Sequence, residues 1–150
     1  MPDKRELILV RLLKIAQATF GANRAFRNTE EIPEEARPAC LIHDGSEEAA
    51  ESDPQRPRGR AGVRIVSMTP EIAILLGDDP DNVGAALNAK RAALMVAIED
   101  DTTLVSYLLN SDGLRYQAWA TNLESGRQTE AIGFLSYELT YLLKTSDLAD

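Results

Sequence analysis

The run VRIVSMTPEIAILL at residues 63–76 decides the class of fold. Val63, Ile65, Ser67 and Thr69 alternate with Arg64, Val66 and Met68, the two-residue period of a strand with unlike faces. Pro70 interrupts, and Ile72, Ala73, Ile74, Leu75 and Leu76 resume. A proline inside such a run predicts an edge strand or a bulge, because it cannot donate to a ladder. Asp78, Asp79, Pro80 and Asp81 turn the chain, and Asp81 or Asn82 is placed to cap a helix over 83–99. Val83, Leu87, Leu94 and Ile98 mark the buried side of that helix. Gly84, Ala85, Ala86, Ala89, Ala92 and Ala93 make it slim enough to pack closely, with Lys90 and Arg91 on its outer side.

The flanks carry the same alternation of classes. Upstream, residues 3–20 read as an amphipathic helix. Asp3 and Glu6 have capping-box spacing, Leu9, Leu13, Ala16 and Phe20 recur at helical intervals, and Ile8, Leu12 and Ile15 widen the stripe. Gly21 is a stop signal. Ala25-Phe26-Arg27 has the makings of a short strand, and Glu30, Glu31, Glu34 and Glu35 around Pro33 form an acidic connector. Pro38 to Asp44 reads as a proline-led strand. Downstream, Asp100-Asp101 end the second helix, Thr103 to Leu109 adds one or two helical turns, and Asn110 to Gly113 is a turn. Leu114 to Leu123 alternates, with Leu114, Tyr116, Ala118 and Ala120 opposite Arg115, Gln117, Trp119 and Thr121. Ala131 to Leu143 is the last strand, with Leu135, Tyr137, Leu139 and Tyr141 opposite Phe134, Ser136, Glu138 and Thr140. Hairpin-type connections on both sides of the second helix predict an α+β fold: an antiparallel sheet with two helices packed on one face.

One domain is expected over 1–150, as the length implies. Between Ile42 and Val63 alanine is the only apolar side chain. Residues 45–62 are therefore expected to form a long flexible loop, acidic at Glu47, Glu48, Glu51 and Asp53 and basic at Arg56, Arg58 and Arg60. Residues 144–150 read as a frayed tail.

Charge and composition exclude much chemistry. The net charge is −8, which repels phosphate backbones at long range and argues against sequence-specific nucleic-acid binding. One cysteine, Cys40, excludes an intrachain disulfide and zinc sites built on two or four cysteines. One histidine, His43, excludes any site that needs two. No apolar run approaches the roughly 18 residues of a membrane span, and the mixed charges of Lys4, Arg5 and Glu6 do not read as a signal peptide. His43-Asp44-Gly45-Ser46-Glu47 is the only cluster with a functional reading, His43 as a base oriented by Asp44 or as a metal ligand with Glu47. Adjacent strand residues point apart, so a strand end meeting a polar loop is the simpler account. Cys40, in an apolar strand, reads as core, and Asp78, Asp79 and Asp81 lack the regular spacing and closing glutamate of a calcium loop. No catalytic, cofactor or metal residue is expected, and no cofactor. The residues expected to carry binding are Glu47, Glu48, Arg56, Arg58, Arg60 and Arg64, at an interface with a charged partner or a neighbouring subunit.

The layout over about residues 4–143 resembles the tail-terminator and minor tail proteins of long-tailed bacteriophages. The resemblance rests on the opening helix from Arg5 to Phe20 and on the proline-led strand from Pro38 that runs into the acidic Asp44-Gly45-Ser46-Glu47. Leu87 to Leu94 resembles that family's second helix, Asp100 or Asp101 with Leu104 its exit, and Gly133-Phe134-Leu135-Ser136-Tyr137-Glu138-Leu139-Thr140-Tyr141 its closing strand. The segment 45–62 departs from the family in length and charge. The resemblance implies a noncatalytic structural protein of the virion tail, assembled in the host cytoplasm. Such proteins form a ring, typically a hexamer, that caps the tail tube and gives the head a docking surface. The implied partners are other copies of the chain, the tail-tube protein and a head–tail connector protein, with DNA passing through the lumen unbound and no membrane involved. A small-ligand binding or regulatory α+β module is the alternative, which would keep an apolar pocket between sheet and helices. An enzyme built on Asp44, Glu47 and Glu48 is the least supported reading, because an exposed loop rarely tunes a carboxylate.

Overall fold

The computed structural model of the chain describes residues 3–53, 62–78, 81–124 and 129–145. Its elements run α1 (Lys4–Phe20), β1 (Ala25–Arg27), a 3-10 turn (Glu34–Ala36), β2 (Ala39–Ala49), β3 (Val63–Asp78), α2 (Val83–Glu99), α3 (Thr102–Tyr107), a second 3-10 turn (Ser111–Gly113), β4 (Leu114–Glu124) and β5 (Thr129–Lys144). The strands form one five-stranded sheet in the order β1-β2-β3-β5-β4. The fold is α+β, with α1 and α2 on one face of the sheet. The sheet is mixed: β1 pairs parallel to β2, and only the other three pairings are antiparallel.

Alternation along the strands builds the core. Val66, Met68, Ile72 and Ile74 of β3 and Leu135, Tyr137, Leu139 and Tyr141 of β5 point to the helices and are buried. Ile8, Leu9, Leu12, Ile15 and Ala16 of α1, and Val83, Leu87, Leu94 and Ile98 of α2, cover them. Each such leucine, isoleucine, valine or methionine contributes about 1.5–3 kcal/mol by leaving water. Asp3 caps α1 by accepting from the Arg5 N–H at 3.1 Å, and Gly21 closes it at φ +122° with its N–H on the Gln17 carbonyl. Glu6 does not complete a capping box. It reaches instead to the Arg27 guanidinium at 2.7 and 2.9 Å.

Several sequence expectations need correction. Pro70 sits in β3, a central strand and not an edge; the ladders skip it, between Ser46↔Thr69 and His43↔Glu71 on one side and Met68↔Leu139 and Glu71↔Ser136 on the other. A bulge is present, but its extra residue is in β2 between His43 and Ser46, opposite Pro70, and the register of β3 with β5 continues unbroken. Residues 45–49, expected in the flexible loop, continue β2, with Ser46, Glu47, Glu48 and Ala49 paired to β3. Their side chains are exposed, so no apolar pattern announced them. Residues 50–53 form a turn in which the Asp53 N–H donates to the Ala50 carbonyl and the Ala50 N–H to Ile65, Gly62 accepts from the Thr145 N–H, and the rest of the flexible-loop reading, 54–61, lies outside the described residues. Lys144 belongs to β5, while 146–150 lie outside the described residues. On α2, Ala85, Ala89, Ala92 and Ala93 face outward, whereas Lys90 and Arg91 lie over Phe20 and Trp119. In β4 a register shift between Tyr116 and Ala118 brings Trp119 to the same face as Leu114 and Tyr116. A one-residue insertion reverses the alternation beyond it.

Candidate functional site

The sheet has a second face, opposite α1 and α2, which is buried near β1 at Ala39, Leu41 and Ala73 and exposed at Phe134 and along the strands towards β4. Its apolar end carries Leu75 of β3 with Ile132 and Phe134 of β5, in rows aligned by the register Leu75↔Ile132 and Ala73↔Phe134. Phe134 keeps 45% of its surface exposed. The polar end is set by the opposite phase of the strands that build the core. There Ser67 pairs across to Glu48 of β2 and Thr140 of β5, and Arg115 of β4 pairs with Glu138 of β5. The hydroxyls of Ser67 and Thr140 hydrogen-bond at 2.9 Å. Around them lies a groove of about 610 Å³, walled by Glu48 and Glu51 on one side and by Arg115, Gln117 and Glu138 on the other. Arg115 and Glu138 stand 3.7 Å apart, with Arg115 72% exposed, so solvent screens the pair.

The sheet also has open edges. β1 covers only Cys40 to Ile42 of β2, and no described strand pairs with the outer edge of β4, which is 11 residues long.

The expected site residues are not brought together. Glu48 faces the groove, but its neighbour Glu47 is on the helix face and accepts a hydrogen bond from the Tyr141 hydroxyl. Burial, with that carboxylate beside it, pushes the Tyr141 pKa up. Arg64 lies 3.8 Å from Asp53, a buried carboxylate that accepts from the Ile65 N–H. Arg56, Arg58 and Arg60 lie outside the described residues.

The His43 cluster likewise separates. Asp44 accepts two hydrogen bonds from Arg27, at 2.8 and 2.9 Å, and that guanidinium holds its carboxyl below the usual range against the opposing effect of burial. His43 pairs in register with Glu71 on the open face. Gly45 between them takes φ +70°, and a Cβ there would meet the Thr69 carbonyl oxygen. Arg5 of α1 ties this bulge down by donating to the Gly45 carbonyl at 2.9 Å. The cluster is a structural joint between α1 and β2. Among the described residues no group of His, Cys, Asp and Glu is arranged to hold a metal ion. Cys40 is fully buried, and that burial pushes its thiol pKa up to about 12.

One feature of the open face was within reach of sequence reasoning. The alternation along β3 and β5 set Ser67 and Thr69, and Ser136, Glu138 and Thr140, on shared faces of their strands. What it lacked was the register that brings Glu48 and Arg115 beside them. In comparisons with known proteins, the chain matches no family model and no curated protein. Among the described residues no helix is long and apolar enough to cross a membrane.

Proposed function

We propose that this chain is a noncatalytic structural protein of the tail-terminator type, which works by closing into a ring with copies of itself. The observation that carries the reading is what the described residues leave uncovered: the second face of the sheet at Phe134 and along the groove, and the 11-residue outer edge of β4. An exposed strand edge is a template for pairing with another chain unless something covers it. β4 at one side of the sheet and the β2 stretch beyond Ile42 at the other are different surfaces. A contact between them is head-to-tail, and head-to-tail contacts close into rings when the rotation permits. α2 adds a further uncovered strip, with Val96 60% exposed beside outward alanines.

In this reading the ring sits on the end of a tail tube, meets the tail-tube protein on one side and a head–tail connector protein on the other, and resides in the virion tail. The net charge of −8 suits a lumen through which DNA slides without sticking. Size-exclusion chromatography with light scattering, alone and with the tail-tube protein, tests the proposal. The expected result is a discrete multiple of the 16.4 kDa chain mass. A strict monomer at high concentration, with and without the tube protein, overturns it. DNA retained tightly at low salt would count against the lumen.

A second reading, a small-ligand module, draws support from the groove, whose volume lies in the range of ligand pockets. The groove is on the face opposite the helices and is lined mostly by hydroxyls and charges, unlike the apolar pocket expected between sheet and helices. A thermal-shift screen of metabolites separates the readings: a stabilising metabolite on a monomeric chain favours the module.

A further inference from the structure

The groove and the arginine-rich segment are chemical complements. Glu48 and Glu51 on one wall have no cationic partner among the described residues, and Glu138 on the other has only the exposed Arg115, 3.7 Å away. Hydroxyls of Ser67 and Thr140 lie between the walls. The lining is thus rich in acceptors and net negative. Residues 54–61 hold Arg56, Arg58 and Arg60 and no acid. A guanidinium offers five donors in a planar fork, the geometry that carboxylates accept best.

We propose that this groove docks the Arg56–Arg60 segment of a second copy of the chain. The inference rests on the self-association reading above and names the surfaces that meet. Charge makes the case for a local complement. Copies with a net charge of −8 repel one another, and the three arginines are included in that total, so the rest of each molecule is more acidic still. A contact that lays the basic segment on an acidic surface offsets that repulsion. Arg64, the nearest described arginine, is already committed to its own Asp53. The described residues flanking the segment are anchored at one end of the sheet. The Asp53 N–H donates to the Ala50 carbonyl, the Ala50 N–H to Ile65, and the Thr145 N–H to Gly62. The described residues on both sides of the segment, Asp53 and Gly62, thus sit at the same end of the sheet as Glu51 of the groove.

A charge-swap experiment on the full chain tests this by light scattering and sedimentation. One variant reverses the groove (Glu48→Lys with Glu51→Lys), a second reverses the segment (Arg56→Glu, Arg58→Glu and Arg60→Glu), and a third carries both sets. Both groove positions are exposed, and circular dichroism melting checks that each variant folds. Each single-set variant is expected to self-associate at least tenfold more weakly than the unchanged chain, most clearly at low salt. Mixing the two is expected to restore assembly, because each then offers the other a complementary surface. The third variant restores assembly alone. Single-set variants that assemble like the unchanged chain overturn the inference while leaving self-association standing. A third variant that assembles, with a mixture that does not, assigns the segment to its own chain's groove and overturns the second-copy docking. An unchanged chain that is monomeric throughout overturns the self-association reading itself.

Discussion

Phe134 and Leu135 are neighbours in β5 with opposite surroundings. Leu135 is fully buried under the helices, while Phe134 keeps 45% of its surface on the open face. The same division runs through β3, where Ile72 and Ile74 are sealed while Ser67 and Thr69 line the groove. One set of strands thus builds two surfaces, because side chains alternate with a period of two. The helix-side surface holds the fold together, and the other is exposed at Phe134 and along the groove. Stability and association should therefore respond to different residues, often adjacent ones.

The largest effects belong to the covered face. Leu135→Ala should lower unfolding free energy by about 2–5 kcal/mol in urea titrations, through lost burial and the cavity left behind. Phe134→Ala next to it should cost less, about 1 kcal/mol, because close to half of its surface is already in water, and should weaken self-association. Equal losses of stability at both positions would break the distinction between the faces. Gly45→Ala comes next, at about 1–3 kcal/mol, because φ +70° is strained for alanine and the added Cβ would run into the Thr69 carbonyl. Chemical denaturation measures it.

A smaller effect sharpens the comparison through charge. Asp101 caps α3 by accepting from the Leu104 N–H at 2.8 Å and holds Arg11 through two of its nitrogens. Burial raises its pKa, but the Arg11 hydrogen bonds and the backbone N–H outweigh that and leave it below the usual carboxylate range. A carboxylate whose folded pKa lies below its unfolded pKa adds stability that is fully present above the unfolded value. That stability is lost as pH falls through the folded value. Asp101→Ala should cost about 1–2 kcal/mol near neutral pH and make the loss of stability below about pH 4 shallower, as read from melting temperature against pH. The smallest expected signal is the Cys40 thiol. Burial that raises it to about 12 keeps it from forming thiolate. An aromatic disulfide reagent should label it only at the rate of unfolding, and rapid labelling of the folded chain would contradict the sealed face.

The covered face was the legible one. Val83, Leu87, Leu94 and Ile98 are the buried residues of α2 that their spacing marked, and Leu135, Tyr137, Leu139 and Tyr141 share the buried side of β5 as alternation required. Hydrophobic periodicity records burial, so it reports where the core lies. It carries little about surfaces without a core. Residues 45–49 of β2 were invisible as strand because their side chains are exposed and their order comes from pairing with β3. The parallel pairing of β1 depends on a three-residue strand that leaves no pattern of its own. The insertion after Tyr116 could not be read from β4, since a bulge is a relation between two strands. The groove was legible only in half. Its hydroxyls lay on readable strand faces, but the glutamates opposite them depend on the continuation of β2. Glu47 and Glu48, adjacent in sequence and grouped there as one interface, end on opposite faces.

The central claim is that the uncovered sheet surface exists to be met by another copy of the chain. Native mass spectrometry of the full chain across a concentration series, alone and with assembled tail tube, tests it most directly. The account predicts one closed stoichiometry that strengthens with concentration or appears on the tube, and that Phe134→Ala weakens without unfolding the chain. Only the 16.4 kDa monomer at every concentration, with the tube present and the open face intact, would contradict it.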